Sequence, residues 1–84
     1  MKKYTFLGRS DGNRFCIEGI DVFTHKWQSL GECDIVIDPT DKRPYSFSRY
    51  RVKTSSKEID FLAGRFSDDK WGFYREMKED ELFF

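Results

Sequence analysis

The stretch Glu58-Ile59-Asp60-Phe61-Leu62-Ala63-Gly64-Arg65-Phe66, then Ser67-Asp68-Asp69-Lys70, then Trp71-Gly72-Phe73-Tyr74-Arg75 decides the fold. Two runs rich in branched and aromatic residues flank four residues of turn chemistry. Ser and Asp side chains bond their own backbone, so such a cluster between apolar runs reads as a hairpin with strands over 58–66 and 71–75. The same punctuation continues upstream. Residues 45–54 form a longer strand, broken from the next by Ser55-Ser56. Residues 33–38 form a short apolar strand closed by Asp38-Pro39-Thr40-Asp41, where Pro39 has no amide to donate and pushes Asp38 toward an extended conformation. Near the N-terminus, Tyr4 and Phe6 alternate with Thr5 and Leu7 over residues 3–8. Ser10-Asp11-Gly12-Asn13 then supplies a turn that tolerates positive φ, and residues 14–18 return as the second arm of a first hairpin.

Residues 19–31 carry two patterns at once. Ile20, Phe23, Trp27 and Leu30 recur at helical spacing, Asp21 suits an N-cap and Gly31 a left-handed C′ position, which predicts one short helix at about 21–30. Val22, Phe23, Thr24 and Trp27 are weak helix formers, however. A strand register with Phe23, His25 and Trp27 on one face is the competing reading.

Composition agrees with the strands: 27 β-branched or aromatic residues stand against one Ala and four Leu. A chain of 84 residues has room for one core, so we expect a single β-rich domain over 1–76 with an acidic and aromatic tail over 77–84. The expected fold is mainly β: a small antiparallel sheet or partly closed barrel of five or six strands. Fifteen aromatics, each removing roughly 150–250 Å² from water, fill such a core without disulfides or metal. The longest uncharged apolar runs are three residues, Ile35-Val36-Ile37 among them, far short of the ~18 residues of a spanning helix, so no membrane is expected. No apolar segment follows Met1-Lys2-Lys3, and the expectation is a cytoplasmic protein whose Cys16 and Cys33 are free thiols. Lys78-Glu79-Asp80-Glu81-Leu82 has the form of an ER-retention signal, but that signal acts at a chain end and Phe83 and Phe84 follow it.

Fifteen Lys and Arg balance fifteen Asp and Glu, so the net field does not by itself argue for nucleic acid. Locally the balance breaks. Residues 42–57 hold six cations and no acid, while the compensating acids lie in 32–41 and 76–81. If residues 45–53 keep a period of two, one face carries Tyr45, Phe47, Arg49, Arg51 and Lys53, two rings followed by three cations. Single-stranded nucleic acid is bound in this way, with bases stacked on rings and phosphates held by cations. A β-bulge near Ser48 gives a different outcome: Tyr45 and Phe47 join Tyr50 and Val52 in the core and the cations protect an edge.

Catalytic candidates are few. His25 is the single histidine; Asp68-Asp69 and Asp38/Asp41 sit where turn acids belong. Cys16, His25 and Cys33 are nine and eight residues apart, against the two to four usual in structural zinc sites. No catalytic residue, cofactor or metal is therefore expected. The reading is a non-catalytic binding module acting through a protein partner or through self-association, such as a homodimer. A single-stranded nucleic-acid module using 45–53 is the alternative, and a small enzyme or metal-dependent domain the third. Glu79-Asp80-Glu81-Leu82-Phe83-Phe84 either docks in the groove of a partner or packs Leu82 or Phe84 onto its own domain.

Overall fold

A computed structural model describes residues 3–77. The chain runs through β1 (Tyr4–Ser10), two short strands β2 (Cys16–Ile17) and β3 (Ile20–Asp21), a single 3-10 turn (Val22–Thr24), then β4 (Gln28–Ile37), β5 (Pro44–Lys53), β6 (Glu58–Arg65) and β7 (Trp71–Glu76). The last four form an antiparallel meander, and β1 adds to β7, giving a five-stranded sheet in the order β1-β7-β6-β5-β4. β2 and β3 pair with each other. The fold is mainly β, as its composition implies, and no helix among the described residues is long and apolar enough to cross a membrane.

Two local expectations need correction. The turn after β1 is present, with Ser10 Oγ donating to Arg14 O (2.7 Å) and Asn13 N–H to Asp11 Oδ1 (3.0 Å). Yet residues 14–18 do not return along β1. They cross one face of the sheet, where Phe15 stacks on Phe73 at 4.3 Å and Ile17 is buried, and the free edge of β1 pairs with β7 instead. The helix expected over 21–30 shrinks to one 3-10 turn. Asp21 does cap it, accepting from Phe23 N (3.1 Å), but the same carboxylate oxygen accepts from Phe15 N (3.2 Å), and His25 is already extended (φ −124°, ψ 159°). Residues with weak helix propensity thus turn once, and the chain then straightens into β4.

Alternation along the central strands fills two cores. Ile59, Phe61, Ala63, Phe73 and Val52 point to the face covered by residues 11–27 and pack with Ile17 and Val22. Leu62, Phe66, Tyr74, Phe47 and Val36 point to the other. A bulge in β1 lets one edge strand serve both. Phe6 opposes Tyr74 and Gly8 opposes Phe73, so Leu7 is the extra residue and the parity of the strand reverses there. Tyr4 and Phe6 pack on the second core and Leu7 on the first.

Among the described residues no segment covers the second core; the sheet curls over it and side chains latch its edges together. The Tyr4 hydroxyl donates to Asp34 Oδ2, Arg9 Nη2 pairs with Asp38 Oδ1, and the Tyr74 hydroxyl donates to Ile37 O at 2.6 Å. Ile35 N–H donates to Asp34 Oδ1 (2.9 Å). These edge groups of β4 are thus satisfied by side chains and do not template a further strand. Both latch phenols are pushed up to about 12. For Tyr4 the causes are burial and the bond to Asp34; for Tyr74 they are burial and the charge of Asp38. A raised folded value means stability that is complete below the ordinary value of 10.0 and is lost as pH rises toward about 12. Tyr74→Phe is expected to cost ~1 kcal/mol at neutral pH through the lost hydrogen bond and to flatten the loss of stability above pH 10. Urea denaturation from pH 7 to 11 checks this; an unchanged alkaline limb refutes the assignment.

Candidate binding surface

The 45–53 stripe keeps its period of two, since β5 pairs with β6 without a register shift from Ser48↔Ala63 to Lys53↔Glu58. The irregularity lies in β4, between Ser29 and Cys33, and contains Gly31 at φ 74°. The five residues of the stripe then part company. Phe47 is 1% exposed in the second core, so its ring is closed to stacking by a ligand. Tyr45 is half-buried against Phe66 (5.1 Å), donates to Asp41 Oδ2 (2.9 Å) and accepts from Ser67 N (3.3 Å). Arg49 belongs to the latch: its Nη2 donates to Tyr4 Oη (3.2 Å), and its charge meets Glu32 (3.1 Å) and Glu76 (3.5 Å).

Arg51 and Lys53 have a different setting. Arg51 Nε and Nη2 donate to both oxygens of Asp60 at 2.7 and 3.0 Å, which holds that carboxyl below its ordinary value. Lys53 remains 62% exposed, with Glu58 at 3.9 Å. Together with Lys26, Trp27 and Gln28 they line an open groove of about 390 Å³. Lys26 has no carboxylate partner among the described residues, and Arg51 Nη1 is likewise unengaged. On the other side of Trp27 a second groove, about 300 Å³, is lined by Phe23, His25, Trp27 and Trp71.

Trp27 is the wall shared by both grooves, and it is rigidly held. Its indole N–H donates to Val22 O at 2.7 Å, and its ring meets Tyr50 and Phe61 at 5.2 Å and Trp71 at 5.3 Å. The 3-10 turn sets this position, because it supplies the carbonyl of Val22 and releases the chain extended at His25. Arg65 lies over the Trp71 ring at 5.0 Å. Phe23, His25 and Trp27 are the three residues that the strand register of 19–31 puts on one face, so that alternative held the signal for the second groove. Nothing in the local pattern of 45–53 pointed to Trp71.

The other candidates are placed as follows. Asp38, Asp41 and Asp68 each accept the backbone N–H two residues on, at 2.8, 2.9 and 3.1 Å, which is turn chemistry. Cys16 and Cys33 are free and both exposed, Cys33 Sγ lying 3.7 Å from Ser48 Oγ. Among the described residues no group of three or more His, Cys, Asp or Glu gathers in a way that could hold a metal ion. Met77 donates its N–H to Lys3 O at 2.9 Å, extending the β1–β7 edge by one bond; the rest of the 77–84 tail lies outside the described residues. No protein-family model, curated protein or solved structure matches the chain.

Proposed function

We propose that the protein is a non-catalytic binding module whose recognition surface is the pair of grooves on either side of Trp27, and that it takes a protein segment carrying both acidic and aromatic side chains. The observation that carries this reading is the placement of a half-buried, hydrogen-bonded tryptophan between a basic groove (Lys26, Arg51, Lys53) and an aromatic one (Phe23, His25, Trp71). A rigid indole is a favourable interface anchor because little side-chain entropy is lost when it is covered. Lys26 and the exposed Lys53 select for acids in the partner.

Single-stranded nucleic acid is the second reading, moved from Tyr45 and Phe47 to Trp27 and its neighbours, because the same surface sets aromatic rings beside cations. Its weakness is that Arg49 and Arg51 are already neutralised by Glu32, Glu76 and Asp60, leaving few cations to release counterions on binding. Tryptophan fluorescence separates the two. The probes are hexapeptides of Asp, Glu, Phe and Leu in varied order and a ten-nucleotide oligothymidylate, each at low and moderate salt. Salt-sensitive peptide binding that falls at least about tenfold in the double variant Lys26→Glu/Lys53→Glu is expected. Oligothymidylate binding without peptide binding moves the assignment to nucleic acid, and no binding of either overturns both readings.

A further inference from the structure

The two grooves lie on opposite faces of one strand, and the outer edge of that strand joins them. β4 is the last strand of its sheet among the described residues. Thr54 N–H donates to Lys57 O at 2.8 Å, so along the unbroken β5–β6 pairing the even-numbered residues of β5 turn their main chain to β6 and the odd-numbered ones turn theirs to β4. Asp38 N–H donating to Arg43 O at 3.0 Å fixes the same alternation from the other end. Arg51 is therefore the residue that bonds Gln28, and the flanking Trp27 and Ser29 turn their N–H groups to the outside of the sheet. The main chain of Trp27 has no hydrogen-bond partner among the described residues. Gln28 and Ser29 are exposed. The other half of β4, beyond the irregularity at Gly31, is closed by side chains at Ile35 N–H and Ile37 O. An open edge is thus confined to residues 26–29, between the basic groove on one face and the aromatic groove on the other.

We propose that the partner segment binds as an added strand, antiparallel to β4 along residues 26–29, with acidic and aromatic residues at alternate positions. This rests on the reading above that the Trp27 grooves take an acidic and aromatic segment, and it names the form of that segment. Every ladder of the sheet is antiparallel, and in such a ladder residues directly opposite each other share a face. Gln28 shares the face of Arg51 and Lys53, so partner residues opposite Lys26 and Gln28 lie over the basic groove and are the acidic ones. Trp27 and Ser29 share the face of Tyr50, so partner residues opposite them lie on the side of the Trp27 ring and His25 and are the aromatic ones. The same alternation divides the partner's main chain. Its aromatic residues exchange hydrogen bonds with Trp27 and Ser29, while its acidic residues turn their amides outward. Lysine at a strand edge discourages pairing with most strands, and the exposed Lys53 with Lys26 makes an acidic strand the exception.

The test titrates the full chain, by tryptophan fluorescence, with an alternating peptide (Glu-Phe-Glu-Tyr-Glu-Phe-Glu) and a block peptide of the same composition (Glu-Glu-Glu-Glu-Phe-Tyr-Phe). The alternating peptide should bind at least about tenfold more tightly. N-methylation of its Phe and Tyr amides should weaken binding at least about tenfold, and N-methylation of its Glu amides less than about threefold. Ser29→Pro removes an outward N–H and no ladder bond, so the variant should fold and lose at least about tenfold in affinity for the alternating peptide, which Ser29→Ala should keep. If Ser29→Pro does not fold, the methylated peptides decide the matter on the unaltered chain. Equal affinity for both peptides, with both methylated forms binding like the unmodified one, overturns strand addition and leaves the grooves standing. Methylated Glu amides blocking where methylated Phe and Tyr amides do not overturns the antiparallel register. Failure of every peptide to bind overturns the underlying reading and this proposal with it.

Discussion

Phe47→Ala is expected to destabilise the fold by about 3–5 kcal/mol, the usual cost of emptying a buried aromatic site. For a domain of this length total stability is of order 4–12 kcal/mol, so the change removes a large part of it. Phe47 is 1% exposed and its ring meets Phe66 at 5.2 Å and Tyr74 at 5.8 Å. It also lies over Gly64, where a Cβ would overlap the ring. Gly64 opposes Gly72 across β6 and β7, and a Cβ at Gly72 would overlap Phe66 in the same way. Two adjacent glycines therefore form the floor on which two phenylalanines lie. Gly64→Ala alone should cost ~1–3 kcal/mol by overpacking. In the Phe47→Ala background the same change should cost nearly nothing, since the methyl group enters vacated space. The double-mutant cycle measures this coupling in urea, and Phe47→Leu serves if Phe47→Ala leaves too little folded protein. Additive effects would mean that the ring and the glycine do not meet. A ligand-stacking role for Phe47 makes the opposite forecast, lost binding at unchanged stability.

Arg9→Ala should cost roughly 2–4 kcal/mol, somewhat less than the loss of a fully buried pair because Arg9 keeps a fifth of its exposure. Asp38 is 2% exposed, and the change leaves its carboxylate with only the Thr40 N–H and other turn amides. Arg9 also lies over the Phe66 ring at 4.1 Å, so packing is lost along with charge. The pH dependence carries a distinct signature. Burial by itself would raise the Asp38 carboxyl, but the Arg9 bond, the Thr40 N–H and the Arg9 charge outweigh it and hold the group below its ordinary value of 3.8. A depressed folded value contributes stability that is present above the ordinary value and is lost as pH falls through it. The wild-type chain should therefore lose stability below about pH 4. Arg9→Ala should move that loss to higher pH, because the unpaired buried carboxylate then takes up a proton more readily. Melting curves between pH 3 and 7 decide the point; parallel profiles would show that the pair does not control the latch.

The strand-forming stretches were legible because a pleated strand writes its alternation into the sequence directly. Phe61-Leu62-Ala63 and Gly72-Phe73-Tyr74 are apolar or small at every position, and all six are buried, as strands covered on both faces require. The turn acids at Asp38, Asp41 and Asp68 and the cap at Asp21 were legible for the same reason: each bonds backbone within two residues of itself. The candidate binding surface was only half legible. Arg51 and Lys53 stood out as cations in an acid-free run, and Phe23, His25 and Trp27 as one face of a possible strand, but nothing local joined the two sets or added Trp71.

The sequence by itself determined that the chain is mainly β and where the last hairpin turns, because these follow from a period of two and from side chains bonding nearby backbone; that the stripe of Tyr45, Phe47, Arg49, Arg51 and Lys53 has no bulge at Ser48 came from the pairing of β5 with β6. Tertiary structure alone decided that β1 joins β7, that Phe47 is core while Arg51 and Lys53 are rim, and that Trp27 stands between two grooves. A face becomes core only when something is brought over it, and here that depends on edges closed by Tyr4–Asp34 and Arg9–Asp38 contacts between residues 30 and 29 positions apart. No local pattern encodes such a closure, since its stability comes from residues that meet only after the sheet has formed.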